Sequence, residues 1–127
     1  MTTTNNNLLS DIKVLDLSQG VAGPFSTKLL AGLGAEVIKV EPPDIGDSSR
    51  SSEPFLNESP TIENSALFSY INTCKKSVTL DPAIPQQAQA IRKLAQDCDI
   101  LVESFTPGHL DSLRLGYCDL SEENPGL

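Results

Sequence analysis

The sequence predicts an α/β fold, a Rossmann-like parallel sheet with flanking helices. Four runs have the length and composition of strands: Ile12–Ser18 (IKVLDLS), Glu36–Glu41 (EVIKVE), Lys76–Asp81 (KSVTLD) and Asp99–Ser104 (DILVES). Stretches with helical periodicity separate the first run from the second and the third from the fourth. Strands that alternate with helices in this way form parallel sheets, joined by right-handed crossovers.

Residues 1–8 (MTTTNNNL) are polar and read as a disordered tail. They lack the basic stretch and apolar core of a secretory leader. Residues 9–127 read as one incomplete domain. The first, second and fourth strand runs are almost continuously apolar, as strands covered on both faces are. KSVTLD alternates, which suits an edge or half-covered strand. For the first helix, Pro24 suits the first helical position and Gly34 the residue just past the end. Phe25, Leu29, Leu30 and Leu33 recur at helical spacing and predict one apolar face. For the second helix, Asp81 can cap and Pro82 or Pro85 can open, while Ile84, Ala88, Ile91, Leu94 and Ala95 share a face. PGHLDSLRLGY reads as a turn and a short helix. Between the second and third strands, residues 42–65 form a long loop rich in Ser, Pro, Asn and acid, of the kind that is functional or mobile.

Composition removes several function classes. The 127 residues suffice for one domain with a core, and 39% of them are hydrophobic. Nine Lys and Arg against 17 Asp and Glu leave a net charge of −8, which argues against nucleic acid and against anionic membrane surfaces. No run approaches the roughly 20 apolar residues of a membrane span. Cys74, Cys98 and Cys118 are widely spaced and odd in number; with the single His109 they make a poor zinc set, so no metal is expected. Free thiols point to the cytoplasm.

Ligands of an open parallel sheet bind beyond the carboxyl ends of its strands. Ser18–Pro24, Glu41–Pro43, Asp81–Ala83 and Glu103–Gly108 arrive there. Gly20 and Gly23 would let a ligand approach the backbone, and the helix that follows offers N–H groups and a positive dipole end. A plain tight turn accounts for the same spacing. The dinucleotide fingerprint is absent, since the turn reads Gly-x-x-Gly, and Glu41 as a ribose acid is weak without it. Lys75–Lys76 could meet phosphates, although a solvated strand start also explains the pair. His109 reads as a surface residue. No carboxylate pair stands out as acid and base, so the residues by themselves indicate no catalyst.

Read together, the motifs resemble the class III CoA-transferases (CaiB/BaiF type). That family includes formyl-CoA transferase, carnitine CoA-transferase and α-methylacyl-CoA racemase. LSDIKVLDLSQGVAGPFSTKLLAGLGAEVIKVEPP is similar to the family's opening. GDSSR resembles its Gly-Asp-x-x-Arg loop, and FSYINTCKKSVTLD its Asn-x-x-Lys-Arg-Ser-x-x-Leu-Asp strand. CDILVESFTPGHLDSLRLGY resembles its Val-Glu-Asn-Phe-x-Pro-Gly segment, and LSEENPGL its closing Asn-Pro. The resemblance runs from about Leu9 to the last residue. It implies transfer of CoA between an acyl-CoA and a carboxylic acid through an aspartyl intermediate. CoA and acyl-CoA would be substrates, with no permanently bound cofactor. Full-length relatives are implied to be interlocked homodimers, and an acyl-CoA racemase or isomerase stays open as the activity. The family's nucleophile follows the Asn-Pro segment, so no catalytic residue is expected in this chain, which by itself is expected to be inactive. Asp16, Asp81 and Asp99 read as structural.

The implied CoA contacts are Val21, Ala22, Leu80, Ser104, Phe105 and Thr106. The charged contacts are replaced: Pro42 and Ser112 stand where many members have Arg, Ala83 where many have Lys, and Ser104 where Asn is usual. Charge-assisted hydrogen bonds contribute roughly 1.5–3 kcal/mol each, so CoA should bind more weakly here. Arg114, two residues past Ser112, would compensate in part. A non-catalytic fragment that does not bind CoA is the rival expectation.

Overall fold

The computed structural model describes residues 7–127. Most of the expected tail lies outside them. Four strands form one all-parallel sheet: β1 (Lys13–Asp16), β2 (Glu36–Glu41), β3 (Lys76–Thr79) and β4 (Ile100–Val102), in the order β3-β2-β1-β4. Val14 of β1 lies opposite Val37 of β2 and Ile100 of β4, and Ile38 of β2 opposite Lys76 of β3. The alternating run KSVTLD is thus an edge strand, as its pattern predicts. β4 is the other edge of the described sheet, and all three of its residues are half-buried rather than enclosed. A continuous apolar run reports that both faces are apolar, and leaves lateral position open.

The helices are α1 (Ala22–Gly32), α2 (Ala66–Ile71), α3 (Pro85–Gln96), α4 (His109–Ser112) and α5 (Tyr117–Glu123). The segment 42–65 carries two short 3-10 turns, Ser48–Ser51 and Leu56–Glu58, and a bridge between Phe55 and Ser65. Ser65 then caps α2 by accepting from the Phe68 N–H at 3.2 Å.

Period-two alternation splits the sheet's two faces between two cores. Leu15, Leu17 and Val40 pack with Ile91 and Ala95 of α3, Leu110 of α4 and Leu120 of α5. Val14 and Val37 pack with Ala31 of α1 and with Ala35. α3 buries the predicted face, with Ile91 and Ala95 fully enclosed and Ala88 and Leu94 beside them. Its first residue is Pro85. Asp81 does not cap it: the N-cap is Ile84, and Asp81 Oδ1 accepts from the Ala83 N–H at 2.8 Å. α1 ends as predicted, with Gly34 at φ 106° one residue past the C-cap, but it begins two residues before Pro24. Of its predicted apolar face, Leu30 packs against the Val14, Ala31 and Val37 cluster, and the other three residues point outward. Phe25, Leu29 and Leu33 are 38%, 53% and 48% exposed, while Pro24, Thr27 and Ala31 are buried. Small side chains bring α1 close to the sheet, and those three bulky ones are left on its outer side.

Candidate functional site

On the α1 side, the strands change character toward their carboxyl ends. Val14 gives way to Asp16, and Val37 to Lys39 and Glu41, all three of them buried and charged. Each finds a partner on a following connection, because an unpaired buried charge is prohibitively costly. Lys75 Nζ lies 2.9 Å from Asp16 Oδ2, Lys39 Nζ lies 2.7 Å from Asp47 Oδ2, and Arg50 Nε lies 2.6 Å from Glu41 Oε2. The six charges cancel.

Lys75 is therefore neither a phosphate ligand nor a solvated strand start. Its side chain is 2% exposed and also donates to the Pro24 carbonyl and to Asn72 Oδ1. Burial pushes its ammonium pKa down, more strongly than Asp16 raises it. Lys76 is the exposed member of the pair and meets Glu36 at 2.6 Å. Glu41 has no free oxygen for a ribose. It accepts from Arg50, from Ser77 Oγ at 2.8 Å and from the Asp47 N–H at 3.0 Å. Burial pushes its carboxyl up, and these hydrogen bonds outweigh burial and hold it below the usual range.

The turn from β1 into α1 is held by these same groups. Asp16 Oδ1 accepts from the Ser18 N–H and hydroxyl, and Asp16 Oδ2 from Thr27 Oγ1 at 2.6 Å. Lys39 Nζ donates to the Ser18 carbonyl at 2.8 Å. The Gln19 N–H donates to Ser104 Oγ at 2.9 Å, and the Gly20 N–H to Asp47 Oδ1 at 3.1 Å. Gly20 has φ 79°, a left-handed conformation that favours glycine. At Gly23 any Cβ would collide with the Ser18 side chain. The glycines thus serve close packing of the turn, and the N–H groups of Ser18, Gln19 and Gly20 already have acceptors within the protein.

On the opposite side, the strand ends surround a cavity of about 240 Å³. Leu17 and Gln19 reach it from β1, Pro42 from β2, Leu80 and Ala83 from β3, and Phe105 from the turn after β4. His109, expected as a plain surface residue, also lines it, with its ring centroid 4.9 Å from that of Phe105. The walls are mainly apolar. Asp81 is the one carboxylate among the lining residues, and no Lys or Arg is among them.

Of the six sequence-predicted contacts, the cavity brings together Leu80 and Phe105. Ser104 reaches it indirectly, through its hydrogen bond to Gln19. Thr106 lines a larger open groove of about 660 Å³ beside β4, shared with Phe105. Val21 and Ala22 are exposed at the start of α1 and line neither space. Sequence reasoning missed Gln19, Lys39, Asp47 and His109. Lys39 left a usable signal, a lysine between Ile38 and Val40 in an otherwise apolar strand, which calls for a buried acidic partner.

The family model for CoA-transferase family III matches residues 9–127. The human succinyl-CoA:glutarate CoA-transferase is 42% identical over 125 residues, covering 96% of this chain and 27% of that protein. The formyl-CoA:oxalate CoA-transferase of Bradyrhizobium diazoefficiens is 38% identical over 119 residues, 94% of this chain and 27% of that protein. The crystal structure of Rv3272 from M. tuberculosis superposes with a TM-score of 0.84 at 41% identity, over 94% of this chain and 32% of that one. The chain thus spans roughly a third or less of the length of the relatives it matches. The family match along nearly the whole sequence and the superposition at 41% identity agree: this chain belongs to CoA-transferase family III.

Proposed function

We propose that the chain is the N-terminal part of a CoA-transferase that moves CoA between an acyl-CoA and a free carboxylic acid, and that it supplies part of the CoA-contact surface. What supports this is the meeting of all four strand ends at one mainly apolar cleft, with Leu80 and Phe105 in its wall, in a chain of this family. Leu17, Val40, Leu80, Ile91 and Leu113 would shield a flat apolar part of the ligand from water, and Gln19 and His109 would orient its polar edge. Val21, Ala22, Ser104 and Thr106 are proposed to follow the ligand out along the rim.

In the proposed reaction an aspartate carboxylate attacks the thioester carbonyl, giving a mixed anhydride and CoA thiolate. The thiolate attacks the aspartyl carbonyl and releases the donor acid, leaving an aspartyl-CoA thioester. The acceptor carboxylate attacks this thioester, and the returning thiolate completes acyl-CoA and frees the aspartate. The aspartates nearest the strand ends are already engaged: Asp16 with Lys75, Asp47 with Lys39, and Asp81 with the Ala83 N–H. Asp99, at the start of β4, accepts from the Lys13 N–H. The resemblance implies a nucleophile that follows the Asn-Pro segment, so we assign it to another part of a longer protein, proposed to be a cytoplasmic homodimer.

The absence of Lys and Arg from the cleft's lining favours a second reading, a chain that does not bind CoA. Calorimetric titration of the purified chain with CoA, with NAD as control, separates the two. Heat with CoA and none with NAD is the expected result. No heat with either would sink the CoA-contact role.

A further inference from the structure

We infer that Asp47, seated by Lys39, is a positioning residue that sets the first βα turn in the shape the ligand meets. The inference rests on the CoA-contact reading above. Strand pairing reaches only the Leu17 N–H, which donates to the Val102 carbonyl, and α1 has no side-chain cap. The shape of the turn depends on side chains that reach it from elsewhere.

Lys39 and Asp47 reach it together. Lys39 Nζ donates to the Ser18 carbonyl at 2.8 Å, and Asp47 Oδ1 accepts from the Gly20 N–H at 3.1 Å. The two side chains contact each other at 2.7 Å, so a closed ring links one carbonyl and one amide of the turn through the end of β2 and the loop after it. Both are 0–1% exposed, which makes the ring rigid and dry. The two oxygens of Asp47 divide the work. Oδ2 takes no well-directed hydrogen bond and serves as the charge opposite Lys39. Oδ1 sets geometry, accepting from Gly20, from the Ser49 N–H at 2.8 Å and from Ser49 Oγ at 2.6 Å. A buried ion pair adds little net stability over an apolar pair of similar volume. What an apolar pair cannot supply is the acceptor for Gly20.

The test separates that acceptor from the charge. Lys39→Met/Asp47→Asn and Lys39→Met/Asp47→Leu both remove the two charges, but only the first retains an oxygen for the Gly20 N–H. Amide exchange at Gly20 is read by NMR, CoA affinity by calorimetry and the unfolding midpoint by thermal melting. We expect the Leu variant to exchange the Gly20 amide about ten-fold faster than the Asn variant, as the loss of one hydrogen bond implies. Its CoA dissociation constant should rise by a similar factor. Its midpoint should also fall, because the Ser49 N–H and hydroxyl lose the same acceptor, so affinity is read at a temperature where both variants are fully folded. Equal Gly20 exchange in the two variants would overturn the inference, as would equal CoA affinity. If the wild-type chain takes up no CoA, the CoA-contact reading fails there, and Gly20 exchange alone decides whether Asp47 holds the turn. Should the Leu variant not fold, single Asp47→Asn must keep wild-type Gly20 protection, and its loss would also overturn the assignment.

Discussion

Glu41 shows how a residue at a ligand-binding address can be committed to structure. It sits at the end of β2, where a dinucleotide fold would place its ribose acid, yet both its oxygens are taken by Arg50, Ser77 and the Asp47 amide. Burial opposes its ionisation, but these donors win, so its pKa in the folded protein lies below that of the unfolded chain. The sign follows from linkage. A depressed carboxylate contributes stability that is fully present above the unfolded value and is lost as pH falls through the folded one. Glu41→Gln should therefore be less stable than wild type at pH 7, by about 1.5–3 kcal/mol for the loss of hydrogen bonds to a charged group. The gap should shrink as pH falls below the ordinary glutamate range. Urea denaturation of both proteins across that range checks it, and a gap independent of pH would refute the assignment.

Among the elements, α3 and α1 depart from their sequence signals in opposite ways. α3 buries the face its periodicity predicts but lacks the cap the sequence offers. Asp81 closes a turn of its own, and Ile84, 39% exposed, occupies the N-cap with no side-chain acceptor. Ile84→Asp should supply that acceptor and a favourable charge at the helix start. We expect a gain of roughly 0.5–1 kcal/mol, read as a higher thermal midpoint. An unchanged or lower midpoint would mean that Ile84's partial packing matters more than the cap. α1 keeps its predicted end but turns Phe25, Leu29 and Leu33 away from the sheet. Periodicity detects a stripe of like residues and cannot say which side of the helix meets the core. Here Thr27 hydrogen-bonds Asp16, which commits the small-residue side to the sheet.

At the scale of the whole molecule, the stripe left on α1 matters most. Val21, Phe25, Leu29 and Leu33 are all exposed, and Tyr70 beside them is 59% exposed under the Lys28 ammonium. Contiguous apolar surface of this kind promotes association, against the repulsion of a net charge of −8. The isolated chain should associate as its concentration rises, and Leu29→Glu with Leu33→Lys should return it to monomer without lowering its unfolding midpoint. Sedimentation velocity checks this; a wild-type monomer at every concentration would show that the stripe does not drive association. Among the described residues, no helix is long and apolar enough to cross a membrane.

The amino-acid sequence alone determined the α/β class, the edge or half-covered character of β3, the glycine-marked end of α1 and the buried face of α3. Each depends on local chemistry: which residues alternate, which tolerate a positive φ, and which recur at 3.6-residue spacing. The opening segment and four ordered motifs after it also made the family legible. Only the tertiary structure decided that Lys75 answers Asp16, that Lys39 answers Asp47, that α1 faces Leu29 and Leu33 outward, and that His109 joins Phe105 at a cleft. Lys75 and Asp16 stand 59 residues apart, and the cleft gathers residues from the ends of all four strands. A buried charge must find whichever partner the fold brings near it, and linear spacing does not encode that partner's position.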